Sequence, residues 1–315
     1  MMVPERTGWV RTVLRYRGSE LPRTKNRILG VLVLSILVTY AEKSTSEQLF
    51  DVRTIPFTLT GVALSIFLGF RNNAAYERWW EGRKLWGALV NTSRTFARQA
   101  VTLIAPPADA TPEVIAEVQD LERDLVHRAI AFVHVMRHSL RDEPLGDEVQ
   151  ELLPKSEVEG LLNESNKPSA VTFAIAARIR TAFDRGFIHP MHLPTLEGTL
   201  VALTDIHGGC ERIKSTPVPF SYTTLIHRIV AVYCYALPFG LVTEVGILTP
   251  IATTIISYAF FGLDIVGDEI EQPFGYDPND LPLSSISRTI EINLRQRLGE
   301  TDLPEPMRPV REVLA

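Results

Sequence analysis

Three histidines, His127, His134 and His138, share one stripe of a predicted helix, because their separations are seven and four residues. Two histidines four residues apart form a common half of a zinc site. A complete site needs further ligands, and the sequence has neither an HExxH motif nor a nearby carboxylate at a suitable spacing. We therefore expect no metal here and interpret the three side chains as part of a helix surface.

Enzymatic chemistry has no clearer support elsewhere in the sequence. We find no nucleophile–base pair, no Gly-rich phosphate loop and no pair of carboxylates within the apolar runs. Cys210 and Cys234 lie far apart without a CxxC motif, so we expect free, packed thiols. A net charge of −5 gives no support for nucleic-acid binding. We therefore predict neither an enzyme, nor a cofactor, nor a nucleic-acid partner.

The most informative stretch is residues 54–70, which carry no charge and lie between Arg53 and Arg71. As a helix this stretch would be about 26 Å long, close to the apolar thickness of a bilayer. From Arg71 onward the sequence becomes charged and aromatic, with no proline at the junction. We therefore predict one long helix that passes from lipid into water, in which only Gly82 weakens the continuity.

Two stripes run along this predicted span. Val62, Ile66 and Phe70 share one helical face, and the adjoining stripe consists of small residues, namely Gly61, Ser65 and Gly69. If several copies packed through the small stripe, the bulky stripe would surround a common axis as a narrow apolar constriction. An ordinary buried span that packs on its own chain shows the same pattern, and the stripes alone favour that simpler alternative.

Two motifs resemble the bestrophin family in its prokaryotic branch. The first is SIFLGFRNNAAYERWWEGRKLWG (65–87), and the second is GLDIVGDEIEQPFGYDPNDLPL (262–283). The resemblance covers about residues 25 to 300 and implies an all-α membrane protein, a homopentamer around one central pore. It also implies a pore neck built from three apolar residues, which match Val62, Ile66 and Phe70. A second constriction in the cytosolic cavity is implied, and Ile179 is our candidate for that aperture.

Four uncharged runs, at residues 28–41, 54–70, 229–243 and 245–263, predict four transmembrane helices. The first is short for a span, and an interfacial helix is its alternative. The predicted organisation is a cytosolic segment (1–27), two spans with a cytosolic extension of the pore helix (28–100), a cytosolic helical domain (101–220), two further spans (221–264) and a cytosolic C-terminal segment (265–315).

The orientation follows from the charges that flank these runs. Cationic residues precede the first run and follow the second, so the positive-inside rule places both of these ends in the cytosol. Glu244 separates the third and fourth runs and would face outward. Both termini are therefore predicted to be cytosolic, and the resemblance implies a multi-pass protein of a bacterial inner membrane. The cationic residues in question are Arg6, Arg11, Arg15, Arg17, Arg23, Lys25, Arg27, Arg71, Arg78, Arg83, Lys84, Arg94 and Arg98.

The acidic loop of the second motif is a weak calcium candidate. Calcium takes six to eight oxygen ligands, usually with several carboxylates close together. The second motif resembles a family segment that, in calcium-gated eukaryotic bestrophins, helps to hold the ion through an acidic run after Pro-Phe-Gly. Here only Asp277 and Asp280 remain, with Pro278 between them. This departure argues against calcium gating.

The resemblance leaves the sign of the transported charge open. The prokaryotic branch implies conduction of cations such as sodium and potassium, which we favour, whereas eukaryotic members resemble anion channels that pass chloride. The partners expected are membrane lipid, further copies of the same chain and small monovalent ions. A membrane-anchored scaffold or enzyme is the alternative of a different class.

Overall fold

The computed structural model describes residues 1–2, 8–16, 18–45, 48–50 and 52–314. Within these residues the chain forms helices, turns and isolated bridges, and no β-strand. The helices are α1 (Trp9–Val13), α2 (Leu21–Ser44), α3 (Ile55–Leu103), α4 (Pro112–Arg141), α5 (Asp147–Leu152), α6 (Lys155–Leu162), α7 (Lys167–Asp184), α8 (Leu193–Ser215), α9 (Phe220–Val245), α10 (Thr249–Glu271) and α11 (Leu283–Arg297). Arg6 and Arg17 of the basic N-terminal segment lie outside the described residues.

The predicted long, continuous helix is confirmed. α3 is continuous over 49 residues, which corresponds to a length of about 74 Å. It begins with Pro56 in its first turn, where the missing N–H of proline costs no helical hydrogen bond. The helix continues through Gly82, so this residue does not interrupt it.

Three runs in the described part of the chain are long and apolar enough to cross a membrane: Leu21–Ser44, Ile55–Leu103 and Phe220–Glu271. The first helix is longer than its uncharged core of 14 residues, because polar residues extend it at both ends. α2 packs against α10, where the Thr253 hydroxyl donates to Ser35 Oγ at 3.0 Å. With 24 residues, α2 is therefore long enough for a membrane span.

The third run consists of two helices that fold back on each other. α9 and α10 are joined by a short 3₁₀ turn, Gly246–Leu248, in which Gly246 has a φ of +60°. That left-handed conformation favours glycine because a Cβ would clash with the backbone. His227 lies beside Asp264, and the Tyr233 ring contacts Phe260, so the two helices run antiparallel. α9 continues through Pro238 as one helix.

Two hydrophobic cores divide the chain. One lies among α2, α3, α9 and α10 and includes Val31, Leu68 and Phe261. The other is built by α4, α7, α8, α11 and the second half of α3, and buries large side chains such as Trp86 and Phe132 completely. Complete burial of an aliphatic or phenylalanine side chain contributes about 1.5–3 kcal/mol. α3 therefore connects an apolar bundle to an independently packed helical domain.

α8 passes through Gly208 and Gly209 without a break and ends at Ser215. A Cβ at position 209 would lie 2.9 Å from Leu85 Cδ1 of α3. Gly209 therefore permits close approach of two helices instead of ending one, a role that depends on a neighbour distant in sequence.

Candidate pore-lining face of α3

The apolar part of α3 has two faces with opposite surroundings. Leu64 and Leu68 are buried against the chain's own helices. Val62, Ile66 and Phe70, the predicted neck residues, are 58%, 53% and 62% exposed on the single chain. They lie on the side of the helix away from the buried stripe, because residues two positions apart differ by about 200° around the axis. The chain therefore leaves uncovered the stripe that the neck hypothesis requires.

The predicted small-residue stripe is split between two surroundings. Gly61 is buried against α9, since a Cβ there would lie 2.6 Å from the Tyr233 hydroxyl. Ser65 donates its hydroxyl hydrogen to the Gly61 carbonyl of its own helix at 2.8 Å. A Cβ at Gly69 would meet nothing within 4 Å in the described residues. Gly61 thus packs within the chain, whereas Ser65 and Gly69 are both exposed on it.

A buried charge cluster lies directly after the neck stripe. The Arg71 side chain is fully buried, and its Nη1 donates to the Asp264 carboxylate at 3.0 Å and to the Asp264 carbonyl at 3.1 Å. Its Nη2 contacts Asp268. His227 Nδ1 lies 2.8 Å from the second Asp264 oxygen, and Arg27 Nη1 lies 3.5 Å from the same oxygen. From the sequence we interpreted Arg71 only as a cytosolic cation. It follows Leu68 by three residues and so lies on the buried stripe of α3, and this spacing could have indicated that Arg71 is buried.

The uncovered face of α3 continues into the helical domain with polar residues. Asn73, Glu77, Trp80 and Lys84 fall within the same arc of about 80° as the neck residues, and all four are exposed. Glu77 lies about 10 Å along the axis from Phe70. Within the described part of the chain, its carboxylate has no hydrogen bond and no ion pair.

The three histidines of α4 do not form the helix surface that we predicted. His134 and His138 are buried, whereas His127 is partly exposed and its Nε2 lies 2.6 Å from Glu300. His134 Nε2 lies 3.0 Å from Glu291 of α11, and His138 Nε2 lies 3.0 Å from Glu148 of α5. They connect α4 to its neighbours as partners of carboxylates. In the described residues, no group of three His, Cys, Asp or Glu side chains could hold a metal ion.

This network makes the helical domain sensitive to acid. Burial lowers the pKa of His134, although its hydrogen bond with Glu291 opposes the shift. The hydrogen bond from His138 holds the pKa of Glu148 well below its usual range, with the Arg137 charge acting in the same direction. The folded state therefore disfavours protonation of both groups.

We expect the free energy of unfolding to fall as the pH is lowered from about 8 to about 5. A group with a lowered folded-state pKa stabilises the protein above its unfolded pKa, about 6.5 for histidine and 4.3 for glutamate, and that contribution is lost below it. Chemical denaturation of the detergent-solubilised protein measures the decline. His134→Gln should flatten it between about pH 7 and 5, whereas the exposed His189→Gln should not. Equal slopes in the two variants would contradict this role of His134.

The structure does not support Ile179 as the cytosolic aperture. Ile179 of α7 is completely buried in the core of the helical domain, packed among apolar side chains of the same chain. An aperture residue has to be exposed on its own chain, since only then can copies from several chains surround a common axis. Ile179 belongs to the apolar stripe of α7 that faces the core of the helical domain.

The two weak calcium candidates lie in the loop between α10 and α11. Asp277 forms an ion pair with Arg23, with Oδ1 2.6 Å from Nη2. Asp280 is buried and its Oδ2 accepts the Asp277 backbone N–H at 2.8 Å. Burial raises the pKa of Asp280 to about 6. Both carboxylates thus have roles in the loop itself, one as the partner of a cation and one as a backbone acceptor.

The sequence is similar to a family of membrane channels. A profile described as bacterial and fungal bestrophin protein matches residues 1–296. A voltage-dependent anion channel-forming protein of Ralstonia nicotianae is 36% identical over 303 residues, which are 96% of either chain. A protein of the same description from Escherichia coli strain K12 is 33% identical over 311 residues, covering 99% of this chain and 98% of the relative.

The fold is similar to that of solved bacterial proteins. The crystal structure of a bacterial bestrophin homologue from Klebsiella pneumoniae matches with a TM-score of 0.80 at 33% sequence identity. The match covers 87% of this chain and 98% of the homologue. A structure of the same homologue with one substitution also gives 0.80, at 32% identity. Both similarities extend over the apolar helices and the helical domain alike.

Proposed function

This chain belongs to the bestrophin family, and from that membership we propose that it forms an ion channel whose narrow neck is lined by Val62, Ile66 and Phe70. The observation that carries the proposal is the uncovered apolar stripe on α3, opposite the stripe that packs on the chain's own helices. A ring of such side chains excludes water when it is narrow, and so forms a barrier to hydrated ions. We propose that this stripe faces the pore axis.

The proposed assembly is a homopentamer with four transmembrane helices per chain, α2, the first part of α3, α9 and α10. An even number of spans puts both termini on the same side of the membrane. The arginine excess before α2 and after residue 70 favours the cytosolic side of a bacterial inner membrane. The helical domain would then surround a cytosolic continuation of the pore, with membrane lipid around the apolar bundle.

The sign of the conducted charge has two candidates, each with its own support. The descriptions of the relatives favour anions such as chloride. The exposed, unpaired Glu77 on the neck face favours monovalent cations such as sodium and potassium, because rings of carboxylates attract cations and repel anions. Lys84 lies about 10 Å deeper than Glu77, and so about twice as far from Phe70 along the helix axis. Glu77 therefore dominates the electrostatic field at the inner end of the neck, and we propose that the channel conducts cations.

We expect a cation-selective reversal potential that depends on Glu77. Across a tenfold gradient of KCl, ideal selectivity corresponds to about 59 mV, with the sign giving the permeant charge. Glu77→Gln should move the reversal potential toward zero by removing the carboxylate ring. Glu81→Gln is the matched control, because it removes the same charge from α3 at a position paired with Arg212.

Recordings from purified protein in planar bilayers also test the wider proposal. A wild-type reversal potential of the opposite sign would establish the anion channel and refute the proposed role of Glu77. Absence of any current from correctly assembled protein would refute the channel itself and favour a membrane-anchored scaffold or enzyme. Family membership argues against that last alternative, since the family is one of channels.

A further inference from the structure

A buried charge cluster, in which Arg71 meets Asp264 and Asp268, lies at the inner end of the proposed neck. A charged side chain away from water is costly unless it is paired and hydrogen-bonded. Arg71 is fully buried and Asp264 is 1% exposed, so the two charges meet away from water. Leaving either one without its partner would be strongly unfavourable, because the remaining charge would be buried and uncompensated.

The composition of the apolar part of α3 does not determine which of its sides faces the other helices of the chain. Residues 55–70 are apolar on nearly every side, and lipid chains are as apolar as leucine. In water, the hydrophobic effect would turn the apolar face inward, but within a bilayer it does not distinguish Leu68 from Phe70. Close packing and polar pairing must therefore decide which stripe faces the pore.

The position of Arg71 allows it to determine which stripe of α3 faces the pore. It follows Phe70 directly and points about 100° away from it around the helix, into α10. A turn of α3 that buried Phe70 would withdraw the Arg71 guanidinium from Asp264. Next to it, Asn72 Nδ2 donates to the Leu263 carbonyl of α10 at 3.1 Å. Gly267 gives both side chains room, since a Cβ there would lie 2.4 Å from Asn72 Oδ1 and 3.3 Å from Arg71 Nη1.

We propose that Arg71, paired with Asp264, is a positioning residue that holds Ile66 and Phe70 toward the pore axis, and that His227 makes this positioning sensitive to cytosolic protons. The proposal rests on the proposed neck. Asp264 contacts three neighbouring helices: Oδ1 binds Arg71 of α3, and Oδ2 lies beside His227 of α9 and 3.5 Å from Arg27 of α2. One carboxylate of α10 therefore connects all three.

His227 can change its interaction with this cluster by taking up a proton. The charged groups that face it are Arg27 of α2, Arg71 of α3, and Asp264 and Asp268 of α10. A neutral imidazole has one N–H, so it donates to only one of the two carboxylates, which lie 2.8 Å and 3.5 Å from its nitrogens. A protonated ring donates to both and links α9 to α10 more firmly. Because His227 is one-third exposed, it exchanges protons with water.

The rotation of α3 can be measured without any ion current. Leu68→Cys places a thiol on the buried stripe, and both native cysteines are buried, so background labelling by a water-soluble thiol reagent is low. The thiol at position 68 should react with the reagent at least about tenfold faster when Arg71→Met is also introduced. Without the Arg71–Asp264 pair, α3 can turn and expose this stripe. Arg83→Met, which removes an exposed arginine from the same helix, should leave the rate unchanged.

If Arg71→Met does not assemble, Asp264→Asn replaces it, since this variant keeps the shape and removes only the counter-charge. The same acceleration is expected. An unchanged labelling rate in an assembled pentamer of either variant would overturn the positioning role. The labelling rate does not depend on ion conduction. A wild-type protein without current would therefore refute the proposed function, and the labelling rate would still test the role of Arg71.

The proton sensitivity has its own readout. Lowering the cytosolic pH from about 8 to about 5 should reduce the wild-type current at least about twofold, because the tighter cluster holds the neck narrow. His227→Gln should remove this response and leave the Arg71–Asp264 contact in place. A wild-type current independent of cytosolic pH, or a response that persists in His227→Gln, would refute the role of His227. A merely structural role of this side chain would not alter the pH profile.

Discussion

Replacing Val62, Ile66 and Phe70 together by alanine is expected to raise the single-channel conductance or open probability more than any other change considered for this protein. An ion in an apolar ring finds no groups that replace its hydration shell, so the barrier is high while the ring is too narrow to stay wet. Alanine widens the ring and lowers this barrier. Each reduction of about 1.4 kcal/mol increases the flux about tenfold.

Single-channel recording of the triple variant in a lipid bilayer measures this effect. The charge selectivity should change little, since methyl and phenyl groups carry no net charge. Phe67→Ala is the matched control, because Phe67 is an exposed aromatic residue of the same helix outside the neck arc. Currents of wild-type size and open time from an intact oligomer would show that these three residues do not form the constriction.

Leucine at position 61 or at position 69 should produce two different defects. Gly61→Leu should destabilise the chain itself by about 1–3 kcal/mol or more, because overpacking forces Tyr233 and α9 away from α3. Native stabilities are only about 5–15 kcal/mol, so this loss is large. Gly69→Leu should leave the stability of the chain unchanged, since its surroundings in the chain are open, and should disturb the contact between chains.

Thermal unfolding and native mass measurement together separate the two defects. Gly61→Leu should lower the unfolding temperature, whereas Gly69→Leu should shift the population from oligomers to smaller species. Ala63, an exposed position on the same helix, provides the matched control as Ala63→Leu. An unchanged oligomer with unchanged conductance in Gly69→Leu would remove this glycine from the interface between chains.

Much of the fold was determined by the sequence alone, because its signals are local. The uncharged residues between Arg53 and Arg71, and the absence of proline at their end, predicted the long helix α3. Charges at Glu244 and beyond residue 263 similarly placed two apolar helices in a hairpin. The match of Val62, Ile66 and Phe70 to one helical face follows from the helical repeat, which needs no information about neighbours.

The tertiary structure decided which side of each helix is covered, since this depends on residues distant in sequence. The apolar stripes of α3 and α7 look alike in sequence, yet Phe70 is exposed and Ile179 is buried. His134 and His138 had the spacing of a helix surface, and only the approach of α5 and α11 made them buried partners of carboxylates. Arg71 carried no sign in its own sequence of an aspartate 193 residues later. Helical periodicity is local, but burial and ion pairing arise from packing, and packing gave this arginine its partner.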